Sequence, residues 1–343
     1  MEESKTTRPP RTAAPPATQP KIRKGLRWLR AGVTLILILV ILQWIDFDIL
    51  LKTIRRTDWR YVLLILPTAL LDRYLMAYKW NMLLRVRGVA FSNWEAFRIY
   101  MASGFVSLTL PSGLGGDVFR VARMKMSGRK MSDATASIFL ERVVGLLATA
   151  SLAIIGLSVI LGAGADGHYQ RIYYATWLLF ILTLTGLFLS IHTRTFNLMR
   201  RVLSGFEKIR LIRMFLDFQH VYMELGHYSK TLLYVFILSF LEHGILATMN
   251  FWGARGIGVS LGMSYFFAII PLASLVLIIP ISIAGIGVSE GSYIILFSRA
   301  GLSPSESLAL VLIMRVIGWM VLIPCGVAFL YESTALKRID DPM

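Results

Sequence analysis

The stretch Asp117–Gly145, DVFRVARMKMSGRKMSDATASIFLERVVG, decides how the chain is read, because it occurs twice. A shift of 173 positions lays it without a gap on Glu290–Gly318, EGSYIILFSRAGLSPSESLALVLIMRVIG. Asp117 falls on Glu290, Gly128 on Gly301, Ser132 on Ser305 and Asp133 on Glu306. Ala136 falls on Ala309, Arg142 on Arg315, Val143 on Val316 and Gly145 on Gly318. Each copy therefore presents an acid, then a glycine, then an arginine inside an apolar run. Ahead of the acids, Pro111, Gly113, Gly115 and Gly116 interrupt one hydrophobic segment, and Pro280, Gly285 and Gly287 interrupt the other. A weak internal repeat with interrupted hydrophobic segments at corresponding places points to a transport site between two halves of a membrane protein.

Composition agrees with that class. Of 343 residues, 56% are apolar and 16% charged, with mean hydropathy +0.64, which excludes a soluble globule with a polar surface. The apolar runs approach the roughly 20 residues that a helix needs to cross about 30 Å of hydrocarbon, whereas barrel strands would alternate over about 10. The expected fold is all-α and polytopic. A net charge of +16 raises nucleic acid as a partner, but the charge sits in loops beside hydrophobic segments, where it sets topology and meets anionic lipid. The lone Cys325 excludes a disulfide framework and a Cys-rich metal site.

Along the chain, residues 1–26 read as a disordered basic tail, 27–331 as one transmembrane domain and 332–343 as a C-terminal tail. Full spans are expected at Ala31–Ile45, Arg60–Leu84, Ser132–Leu161, Ile172–Ile191, Thr231–Trp252 and Ser305–Leu330. Asp46–Trp59 is mixed, with Ile49, Leu50, Leu51 and Ile54 on one side, and reads as a surface segment. Lys79, Arg85 and Arg87 mark a cytoplasmic end, and Arg194–Lys230 is a basic amphipathic connector. Trp94–Leu110 and Met263–Ile281 are apolar but short and end in the interrupted stretches, so both are expected to be re-entrant. The positive-inside bias puts both termini in the cytoplasm. It also starts the first copy (around 94–162) inside and the second (263–330) outside, an inverted repeat. Arg142 and Arg315 each lie ten residues beyond the matched serines, roughly 15 Å along a helix, which brings both near the midplane.

An arginine at the bilayer centre costs about 2.5 to 3.5 kcal/mol on insertion scales, so it faces the interior and finds a partner. Two readings of Arg142 and Arg315 stand side by side. In one, their guanidinium groups take a lipid phosphate in a substrate-binding cleft that includes Asp117, Glu290 and Glu141, with Gly113, Gly115, Gly116, Gly285 and Gly287 shaping a binding loop or hinge rather than a plain turn. In the other, Arg142 pairs with Asp117 or Glu141, and Arg315 with Glu290, as structural ion pairs. Asp72, Arg73, Glu242 and His243 are candidates for a proton or ion relay. Neighbours on a helix do not face each other, so Asp72 and Arg73 need not pair. Neither glycine run has the spacing of a P-loop or a dinucleotide fingerprint, and the histidines lack metal-ligand spacing. No cofactor, metal or nucleic acid is expected. No nucleophile–base set accompanies the acids, so an enzyme is not expected either.

The segments LPSGLGGDVFR (Leu110–Arg120), SIFLERVVG (Ser137–Gly145), GIGVSE (Gly285–Glu290) and AYKWNMLL (Ala77–Leu84) together resemble the lysylphosphatidylglycerol synthase transmembrane-region family. That family is the flippase-like membrane part of multiple peptide resistance factor and of stand-alone bacterial and archaeal proteins. Lys79 stands where the family commonly has arginine. The resemblance implies a helical bundle with re-entrant segments in a bacterial or archaeal cytoplasmic membrane, moving lipid-linked groups between leaflets. The expected substrate is an anionic or phosphate-linked lipid, such as an aminoacylated phospholipid or a polyprenyl-phosphate sugar. The alternative is a non-transporting partner or scaffold of a lipid-modifying enzyme or glycosyltransferase. Only about a dozen residues follow the last span, so the soluble aminoacyl-transfer domain, and with it aminoacylation, is not expected.

Overall fold

A computed structural model describes residues 47–89, 91–109, 115–165, 167–194, 209–278 and 285–339, together with 35, 39, 197, 200, 201 and 282; side chains beyond 326 are not described. The tail 1–26, nearly all of the expected span Ala31–Ile45, and Pro111, Gly113 and Pro280 lie outside these residues. All eleven elements among the described residues are helices. They are α1 (Phe47–Arg55), α2 (Trp59–Val86), α3 (Asn93–Thr109), α4 (Gly115–Met126), α5 (Met131–Gly162), α6 (His168–Ile191), α7 (Arg210–Gly226), α8 (Ser229–Gly256), α9 (Met263–Leu277), α10 (Val288–Ser298) and α11 (Pro304–Ile339). Five are long and apolar enough to cross a membrane: α2, α5, α6, α8 and the Pro304–Gly326 part of α11.

Local chemistry sets the ends. Asp58 caps α2 by accepting from the Arg60 backbone N–H at 3.0 Å, and Gly88, at φ +68°, turns the chain out of it. The two repeat copies share one turn. Gly128 (φ +73°) donates to Lys125 O and Arg129 to Met124 O, both at 3.1 Å; 173 positions on, Gly301 (φ +94°) donates to Ser298 O and Leu302 to Phe297 O, at 3.2 and 3.1 Å. Glycine stands at both because only it adopts this left-handed backbone without strain.

Helix α5 is the centre of the bundle and the most buried of the spans; α6 is the least, presenting Leu178, Leu182 and Phe188 outward. Around α5 pack α9, α8, α6, α7, α4 and α2. The copies exchange partners: short α3 of the first packs on long α11 of the second, and short α9 of the second packs on long α5 of the first. At the latter crossing a Cβ on Gly156 would stand 2.5 Å from the Phe267 carbonyl carbon and the Ala268 nitrogen, so the two backbones touch. The main apolar cluster gathers Leu157, Ala247, Phe266, Ile269, Phe297 and Leu310 from α5, α8, α9, α10 and α11. The connector contributes α7, whose Val221, Tyr222 and Leu225 pack on Leu140 and Val144 of α5. The segment read as surface forms α1, which keeps Leu51 exposed while Ile54 packs against the main cluster.

Candidate functional site

In the first copy, Asp117 occupies the first turn of α4, where the helix dipole favours an acid. It accepts from Arg120 Nη2 at 2.6 Å and from Arg142, whose Nε lies at 2.9 Å and whose Nη2 also donates. Arg120 donates onward to Glu141 at 2.9 Å. Its guanidinium lies over two rings, 5.2 Å from the Trp80 centroid and 4.8 Å from that of Tyr100. The Arg120 side chain is 5% exposed and that of Arg142 is 47% exposed, so one arginine is sealed inside and the other faces outward. Gly116 lets α4 lie against α3: its N–H donates to Ser107 Oγ at 3.0 Å, and a Cβ there would fall 2.6 Å from Ser103 O. Gly115 is buried beside it.

The second copy repeats the pair in a closed form. Glu290 lies in the first turn of α10 and accepts from the Gly287 N–H at 2.7 Å, from Ser289 Oγ at 2.8 Å and from Arg315. Ser289 also receives a bond from Arg315, and Gly285 O, at 3.1 Å, is the alternative acceptor for its one hydroxyl hydrogen. Gly285 and Gly287 both have positive φ, +72° and +85°, which only glycine holds cheaply. The Arg315 side chain is 16% exposed, and its Nε is buried without an acceptor. Position for position, Arg120 of the first copy corresponds to Tyr293, which donates to Asn250 at 2.8 Å instead.

A third group lies between α2, α5 and α8. Lys79 pairs with Glu242 and donates to Ser239 Oγ at 3.0 Å, with both Lys79 and Glu242 buried. His243 Nε2 meets Thr149 Oγ1, and its Nδ1 lies 3.9 Å from Glu242 Oε1. Asp72 is buried with Oδ2 3.5 Å from Arg73 Nε. Adjacent positions on a helix point about 100° apart, but the arginine stem is long enough to curl back, so these neighbours do pair. The relay candidates thus come together, and Glu242 and Arg73 lie within electrostatic reach of Tyr100, which joins them to the Arg120 group.

Two members of these groups escape the sequence reading. Lys79 reads as the mark of a cytoplasmic end, yet it is 3% exposed and bonded to a residue 163 positions away. The signal for it was Glu242 itself, an acid inside an apolar span that requires a cation. Arg120 stands in sequence beside Arg123 and Lys125, a basic run of the kind that flanks a span, yet it is the buried hub of the first copy. Its i,i+3 spacing to Asp117 was the available signal. Glu141, considered as a partner of Arg142, belongs to Arg120 instead.

No curated protein matches the chain. The motif segments around Asp117, Glu141 and Glu290, now seen as charged groups on paired short helices and long spans, fall within one family model that spans residues 27–326, and the chain belongs to that family, the lysylphosphatidylglycerol synthase TM region.

Proposed function

We propose that the protein is a lipid translocase that carries an anionic or phosphate-linked lipid head group between leaflets by way of the Arg142–Asp117 and Arg315–Glu290 pairs. The observation that carries this is the outward-facing Arg142, 47% exposed while held by Asp117. A phosphate presents the same two-oxygen face as a carboxylate, so it exchanges for Asp117 on the guanidinium fork without a new geometry. In the second copy the unused Arg315 Nε–H is a buried donor that an anion would satisfy, relieving a desolvation cost of about 1–3 kcal/mol. The family's description ties this fold to the membrane region of a lysylphosphatidylglycerol synthase.

Two features support the re-entrant, inverted arrangement within this reading. Helices α3 and α4 have 17 and 12 residues, and α9 and α10 have 15 and 11, so at 1.5 Å per residue each reaches about 17 to 26 Å. That is short of a core about 30 Å thick, as expected of segments that enter and return. The exchange of partners between copies, α3 on α11 and α9 on α5, is the packing that a two-fold axis between them would produce. One copy open at its arginine and the other closed is then one state of a cycle in which the copies trade roles.

The test is reconstitution into vesicles of phosphatidylcholine and phosphatidylglycerol, following the movement of labelled phosphatidylglycerol. Replacing Arg142→Ala and Arg315→Ala together is expected to slow translocation at least tenfold. A rate equal to wild type in the double variant overturns the site.

A further inference from the structure

Two buried polar atoms in the third group have no hydrogen-bond partner: Asp72 Oδ1 and His243 Nδ1. The state of the histidine follows from its neighbour. Thr149 spends its hydroxyl hydrogen on Gly145 O at 2.8 Å, so toward His243 its oxygen accepts, and Nε2 must be the protonated nitrogen. Nδ1 therefore carries a free lone pair, buried and 3.9 Å from a Glu242 oxygen. A proton taken there produces an imidazolium beside a carboxylate, whose attraction offsets part of the cost of burying the new charge, and gives Glu242 a second cation besides Lys79. Asp72, with its unpartnered oxygen, lies two turns from Lys79 on the same face of α2 and within electrostatic reach of it.

We propose that His243, Asp72, Glu242 and Lys79 form a proton-binding site inside the membrane, and that the proton it takes is the co-substrate that drives lipid movement at the arginine pairs. This rests on the translocase reading above. The charges facing His243 are Glu242 and Lys79, with the Gly145 carbonyl and Thr149 of α5; those facing Asp72 are Arg73, Lys79 and Glu242. A metal cation fits less well than a proton. Lys79 and Arg73 already place two positive charges on the carboxylates, and among the described residues no three His, Cys, Asp or Glu groups are gathered to ligate one. Transmission to the lipid site is short. Trp80 follows Lys79 on α2 and its ring centroid lies 5.2 Å from the Arg120 guanidinium, so a movement of this part of α2 is felt at the hub of the first copy. Tyr100, whose ring also lies against the Arg120 guanidinium, donates its hydroxyl toward Glu141 at 3.5 Å.

The experiment uses the full chain in vesicles of phosphatidylcholine and phosphatidylglycerol, with a pH-sensitive dye trapped inside and labelled phosphatidylglycerol in the bilayer. A pH gradient of either direction is imposed. Wild type is expected to move lipid several times faster under one direction of the gradient and to pass protons as it does so. His243→Gln and Asp72→Asn are each expected to lose both the acceleration and the proton entry; two variants are used so that one that elutes as aggregate can be set aside. Lipid movement indifferent to the gradient, with no proton entry, overturns the proton proposal and leaves the translocase standing. Proton entry that depends on His243 without lipid movement overturns the translocase and keeps the site. Neither movement in wild type overturns both.

Discussion

Arg120 holds three roles in one side chain: it neutralises Glu141, shares Asp117 with Arg142, and lies over the Trp80 and Tyr100 rings. Removing one partner of a buried ion pair costs about 3–5 kcal/mol, since the remaining charge stays buried. Arg120→Met is accordingly expected to lower the melting temperature of the detergent-solubilised protein sharply, and adding Glu141→Gln is expected to restore part of the loss. Additive losses in the double variant would mean that Arg120 and Glu141 do not act as a pair. Arg120→Lys keeps the charge but loses the planar fork and the stacking, so it is expected to fall between wild type and Arg120→Met. The contrast with Arg142 shows what a single sequence reveals. Arg142 was legible because Arg315 repeats it at the same offset, whereas Arg120 has tyrosine at its counterpart and so left no echo. Lys79 was hidden for another reason: its partner, Glu242, is distant in sequence and lies on a different helix.

At the scale of helices, the close crossing of α5 and α9 is set by one absent side chain. A Cβ on Gly156 would lie 2.5 Å from backbone atoms of Phe267 and Ala268, and backbone cannot swing aside as a side chain tip can. Gly156→Ala is expected to destabilise by about 1–3 kcal/mol, the usual cost of overpacking. Gly145, on the same helix, faces open space, with nothing within 4 Å of the point a Cβ would occupy. Gly145→Ala is therefore expected to be neutral or to stabilise by about 0.5–1 kcal/mol through backbone entropy. Thermal melting of the two variants side by side checks both signs; equal effects would mean that α5 and α9 do not touch at Gly156. Hydropathy made the long helices readable, because α2, α5, α6, α8 and α11 each carry enough apolar length to span. It could not divide the short segments: α4 was read for Gly115, Gly116 and Asp117 but not as a helix, since its apolar face is short and the buried side includes the charged Arg120.

At the scale of the whole molecule the question is whether the two copies enter from opposite faces. Their internal chemistry is alike: the same glycine turn, an acid (Asp117 or Glu290) in the first turn of a short helix, and an acid–arginine pair, each 173 positions apart. Loop charge makes opposite faces the expectation, since Arg123, Lys125, Arg129 and Lys130 surround the first turn while the second has Arg299. Met126 and Arg299 are equivalent positions at the ends of α4 and α10, and both are exposed. In a Cys325→Ser background, a cysteine at Met126 is expected to react with a membrane-impermeant maleimide only from the cytoplasmic side, and one at Arg299 only from the opposite side. Labelling of both from one face would make the copies parallel. The exchange of α3 and α9 between the long helices would then need an axis along the membrane normal, and a site that trades exposure between leaflets by swapping the roles of the two copies would be ruled out, because parallel copies related that way open toward the same side.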